Sequence, residues 1–96
     1  MSCLQDNIHF TLLHIKNNDL LELKIRKGLS LKTSKNNSKE FYFTIIQLYS
    51  NILLLNNGIL HSSGSVMDVF RDDILSDVYE IDVKVDAKNG RVNYYN

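Results

Sequence analysis

Three histidines, a serine-rich run and a lone cysteine are the residues of this chain whose types could do chemistry. His9, His14 and His61 would be the ligands of any imidazole metal site. His9 and His14 are five apart, which sets them on opposite faces of a strand and misaligns them on a helix, and no carboxylate sits four residues after either. Ser62-Ser63-Gly64-Ser65 offers hydroxyls, but it lacks the G-x-S-x-G context and a His/Asp order that would activate one. Turn and helix-cap roles are expected for those serines. Cys3 is the only cysteine, so neither an internal disulfide nor a cysteine-based zinc site can be built. Tyr79, Tyr94 and Tyr95 could present a stacking surface, although packing on a strand face or edge is the commoner use. These residues therefore assign no catalytic, cofactor-binding or metal site.

Composition narrows the classes further. Ninety-six residues, 44% of them hydrophobic, allow one small domain. Such a domain buries about 60% of its unfolded surface, enough for a thin core. A formal net charge of zero removes any global electrostatic case for a nucleic-acid partner or an anionic membrane. The charge is uneven all the same. Lysines from Lys16 to Lys39 make the middle basic, and carboxylates from Asp68 to Asp86 make the end acidic, so the two are expected to be solvated faces that attract one another. No apolar run approaches the ~20 residues of a membrane span, and no charged start with an apolar block marks a leader. A cytoplasmic protein without direct membrane insertion is expected.

The elements that would position these residues are clearest from 51 to 95. Ile52 to Leu55 is a continuous apolar run, the pattern of a strand buried on both faces, and Asn56-Asn57-Gly58 tolerates the positive φ of a tight turn. A return strand is expected over 59–63. Ser65 is placed to cap a helix over 66–70, with Asp68 three residues on, and Asp72 or Asp73 to cap another over 73–79. Ile81, Val83 and Val85 alternate with charged residues, giving a strand over 81–86, and Asn89-Gly90 signals a hairpin into a strand over 91–95. Upstream, residues 1–7 lack periodicity and read as a frayed end. An apolar strand is expected over 8–15, closed by Asn17-Asn18. Asp19 could cap a helix over 19–27 ending at Gly28, against which Leu21, Leu23 and Ile25 alternate strictly with Glu22, Lys24 and Arg26 as in a half-buried strand. Residues 33–39 read as a polar surface loop, and the aromatic and β-branched run at 40–46 as a strand.

The order of events in NILLLNNGILHSSGSVMDVFRDDILSDVYEIDVKVDAKNGRVNYY resembles the C-terminal end of the nucleotide-binding subunits of ABC importers, above all those that take up ferric siderophores, haem or cobalamin. That family has an "LLL" strand, an Asn/Asp-Gly turn, a return strand, a G-S/T-x-x-x-V-F/L helix, an L-x-x-V-Y-x-I-x-V-x-V segment and a short closing hairpin. The resemblance covers 49–96 closely and 8–48 only in degraded form. It tips 19–27 toward helix, sets His14 where the family has the aspartate of its dimer-contact loop, and aligns 40–46 with the strand that ends in a γ-phosphate histidine. Here Ile46-Gln47-Leu48 holds no histidine, and the helix before the "LLL" strand is reduced to Tyr49-Ser50. The chain has no proline, whereas Val66 stands where the family usually places one.

The resemblance implies a family that uses ATP and magnesium, yet the motifs for both are missing from these 96 residues. A P-loop needs G-x-x-x-x-G-K-[ST] to cradle phosphates; Gly28, Gly58, Gly64 and Gly90 are never five apart, and none precedes Lys-Ser or Lys-Thr. There is no Ser-Gly-Gly signature and no apolar strand ending in Asp-Glu; Asp6 follows Leu4-Gln5 without the apolar run. The expectation is an α/β or α+β chain with a small mixed sheet and short helices, a single incomplete domain without a cofactor of its own and without ATPase activity alone. Its partners would be a complete ABC ATPase or the transporter membrane subunits, which would hold it at the inner face of the cell membrane. The other expectations are a small independent interaction module, or a gene remnant that folds poorly.

Overall fold

Asn17 and Asn18 (φ 55° and 57°) and Asn57 and Gly58 (φ 52° and 86°) each reverse the chain within two residues, and these two turns set the sheet. Consecutive positive φ values give the tight hairpin turn whose twist matches the flanking strands, and Asn and Gly reach that region at least cost. The computed structural model describes residues 10–26 and 28–95. In chain order these form β1 (Phe10–Lys16), β2 (Leu20–Arg26), β3 (Leu29–Ser34), a 3-10 turn (Lys35–Asn37), α1 (Lys39–Leu48), β4 (Asn51–Asn56), β5 (Ile59–Ser65), α2 (Val66–Val69), α3 (Asp72–Tyr79), β6 (Asp82–Asp86) and β7 (Arg91–Tyr95). One sheet has the order β3-β2-β1-β4-β5, and β6 and β7 form a separate hairpin. Only the central β1–β4 pair of the five-stranded sheet is parallel. The mixed α/β architecture with a closing hairpin is the expected fold class.

One face of that sheet carries the core. Leu13 and Ile15 of β1, Leu21 and Leu23 of β2 and Ile52 and Leu54 of β4 are buried with Tyr42 and Ile45 of α1, Val69, Phe70, Leu75, Val78 and Tyr79 around α2 and α3, and Val83 and Val92 of the hairpin. Leu12, Leu53 and Leu55 alternate with these and remain partly exposed, so β4 is buried on one face and not on both as its apolar run suggested. On that outer face Glu22 is flanked by Lys16 (3.8 Å) and Lys32 (3.9 Å). Arg71 meets Asp73 and Lys84 meets Asp72 within the acidic end. Among the described residues, no lysine of the basic middle lies within 4 Å of a carboxylate of that end.

Two elements differ from expectation. Where a helix was expected over 19–27, Leu20–Arg26 form β2: the Asn17-Asn18 turn returns the chain directly onto β1, and the strict alternation buries Leu21 and Leu23. Asp19 caps no helix; its carboxylate accepts the Lys35 N–H at 3.2 Å. Residues 40–46 lie in α1, not in a strand. Tyr42 and Ile45 are buried, with Phe41, Ile46 and Tyr49 against the core, a helical stripe at spacings of three and four that overrides the strand propensity of the aromatics. The expected loop at 33–39 shortens accordingly, since Thr33 and Ser34 end β3, and Tyr49-Ser50 joins a full helix to β4.

The end of the chain follows expectation more closely. Ser65 Oγ accepts the Asp68 N–H at 3.2 Å and caps α2. Neither Asp72 nor Asp73 caps α3, which starts after Arg71; Asp72 instead accepts the Val85 N–H at 2.7 Å and ties α3 to β6. Asp86 closes the β6–β7 turn by accepting from Asn89 Nδ2 (2.7 Å) and Asn89 N–H (3.3 Å), bonds that hold its carboxyl below the usual range. The frayed end at 1–7, with Cys3 and Asp6, and the first residues of the strand expected over 8–15, with His9, lie outside the described residues.

Candidate functional site

A bulge brings together groups that sequence order keeps apart. Leu54 pairs with Ser62 and Leu55 with Leu60, so His61 is the extra residue of β5. Bulges re-aim side chains, and here neighbours that would point to opposite faces meet: His61 Nδ1 lies 2.8 Å from Ser62 Oγ. On the other side His61 Nε2 is 2.7 Å from Asp77 Oδ2, brought in by α3. An ionised carboxylate only accepts, so Nε2 carries a proton and donates to Asp77; in the neutral ring Nδ1 then accepts the Ser62 hydroxyl. This is the polarity of an activated serine. Spacing alone did not reveal it, because Asp77 comes from a different element. The arrangement sits on an edge strand with the Asp77 side chain 74% exposed, where it also fastens α3 to β5.

His14 has a different task. Its Nε2 accepts the Gly58 N–H at 2.8 Å, joining β1 to the β4–β5 turn, and burial, reinforced by Lys16, lowers its pKa. Asn57 Oδ1 beside it accepts the Asn17 N–H at 2.8 Å, so the two tight turns are locked together. His14 therefore stands within a strand, not in a contact loop as the resemblance implied. Among the described residues no group of three or more His, Cys, Asp or Glu side chains could hold a metal ion.

The tyrosines form a chain from the core to the surface. Tyr42 and Tyr79 hydroxyls are 2.5 Å apart, and the Tyr79 and Tyr94 rings meet edge to face at 5.0 Å. Burial raises the pKa of all three, most of all Tyr42 and Tyr79. Ser38 donates its proton to the Lys35 carbonyl (2.7 Å), so Tyr94 donates to Ser38 Oγ (2.9 Å). Only Tyr95, 52% exposed, remains of the stacking surface the sequence allowed.

Tyr94 also forms a wall of a half-open cleft of about 390 Å³, lined by Lys35, Asn36, Ser38, Lys39, Arg91, Val92, Asn93 and Tyr94. The Lys35 ammonium sits 5.6 Å from the centre of the Tyr94 ring. Lys35 and Arg91 are 56 positions apart, and only the packing of α1 against β7 makes them neighbours. No protein-family model, curated protein or solved structure matches the chain.

Proposed function

We propose that this chain carries the C-terminal unit of an ABC importer ATPase of the siderophore, haem or cobalamin class, without an ATP site within its 96 residues, and that it acts by association with a complete ATPase or with the transporter membrane subunits. The observation that carries the reading is the order over 51–95. The "LLL" strand, Asn-Asn-Gly turn, return strand, Ser65-capped helix, second helix with Val78-Tyr79 and closing hairpin follow the family's sequence of events. Support comes from that segment alone, because Leu20–Arg26 is a strand and 40–46 lie in a helix, the reverse of what the degraded upstream match implied.

A partner-binding role fits the outer sheet face, where Phe10, Leu12, Leu53 and Leu55 are left outside the core cluster. The same face motivates the second reading, a small independent interaction module. ATP turnover by the purified chain tests the first: no turnover above background is expected, and sustained magnesium-dependent turnover overturns the reading.

A further inference from the structure

We propose that the cleft between the Lys35–Asn37 turn and β7 binds a small phosphate-bearing anion, an assignment independent of the importer reading. Its lining holds three cations, Lys35, Lys39 and Arg91, and no carboxylate. Elsewhere the protein pairs many of its cations: Lys16, Lys32, Arg71 and Lys84 each meet a carboxylate within 4 Å. Among the described residues the three cleft cations meet none. Their charge is only partly offset: Arg91 lies across the β6–β7 ladder from Asp86 and the Lys35 ammonium sits beside the Tyr94 ring, so an anion entering the cleft meets net positive charge.

The geometry suits phosphate. Arg91 carries a planar fork that matches two phosphate oxygens, and Lys35 and Lys39 add point charges to the same lining. Asn93 adds an amide along the same lining. The wall is braced, since Tyr94 is fixed by its bond to Ser38 and by its edge-to-face contact with the buried Tyr79. A preorganised wall loses less entropy when ligand binds. At about 390 Å³ the cleft falls within the range of small-ligand sites and takes a phosphate with a modest appendage.

Amide chemical shifts of the full chain, titrated with inorganic phosphate and with AMP against sodium chloride of equal ionic strength, test the assignment. Saturable shifts at 35–39 and 91–94 are expected with phosphate and not with chloride. AMP binding more tightly than phosphate would identify a mononucleotide ligand; equal affinities would identify the phosphate group alone. A Lys35→Gln/Arg91→Gln variant should bind at least tenfold more weakly, and a Lys24→Gln/Lys88→Gln variant as the parent does. If the first variant does not fold, Lys39→Gln, at an exposed position, should still lower affinity severalfold. Shifts equal in chloride, linear to the highest concentration, or insensitive to the cleft substitutions overturn the proposal.

Discussion

The hydroxyls of Tyr42 and Tyr79 meet 2.5 Å apart in the middle of the core, and this contact joins α1 to α3. Both side chains are essentially inaccessible to water, so burial strongly opposes ionisation of either. An unfolded tyrosine loses its proton near pH 10, while the folded ones keep theirs well above that. The stability they contribute is therefore complete below about pH 10 and falls as pH rises further, by about 1.4 kcal/mol per pH unit for each tyrosine. Tyr79→Phe should cost about 1 kcal/mol at neutral pH and flatten the alkaline decline by about one proton's share, read from urea unfolding at several pH values.

His14 titrates in the opposite sense. Its folded pKa lies below that of the unfolded chain, about 6.5, because its ring is partly buried and its Nε2 must stay unprotonated to accept from Gly58. The stability it contributes is present above about pH 6.5 and is lost as pH falls toward the folded value. A His14→Phe variant should lack that decline between neutral pH and the carboxylate range. Chemical denaturation across the window checks it.

Gly90 combines two requirements. Its φ is +68°, and a methyl group there would come within 2.6 Å of the Phe43 ring. Gly90→Ala should destabilise by about 1–3 kcal/mol, from left-handed backbone strain and from the displaced ring. Adding Phe43→Ala should recover part of that loss, which a double-mutant cycle measures.

The His61 clasp predicts a local effect. His61→Ala removes both bonds that link Ser62 and Asp77, at a cost of about 1 kcal/mol, since Asp77 is largely exposed and Ser62 half-buried. Native-state hydrogen exchange should speed up in α3 and at the bulge of β5, and not in the β1–β2 hairpin.

Local signals carried most of the fold. Asn17-Asn18, Asn57-Gly58, Ser65 and the Val83/Val85 alternation each specify their element within a few residues, so their placement was legible. The two wrong elements show competition between levels. At 19–27 the period-2 pattern pointed to the strand, and the family resemblance pointed away from it. At 40–46 β propensity masked a helical stripe running from Phe41 to Tyr49. The candidate sites were far less legible, because each is made by long-range packing: Asp77 reaches His61 only through α3, and Arg91 joins Lys35 only when β7 lies beside α1. A bulge that turns His61 toward Ser62 has no signature in the sequence.

Sedimentation of the chain with an intact ATPase subunit of a siderophore, haem or cobalamin importer, and separately with its membrane subunits, decides whether it associates with a transporter. One saturable complex with at least one of them is expected, weakened when Leu53 on the outer sheet face is replaced by Lys. Free species throughout both titrations would contradict it.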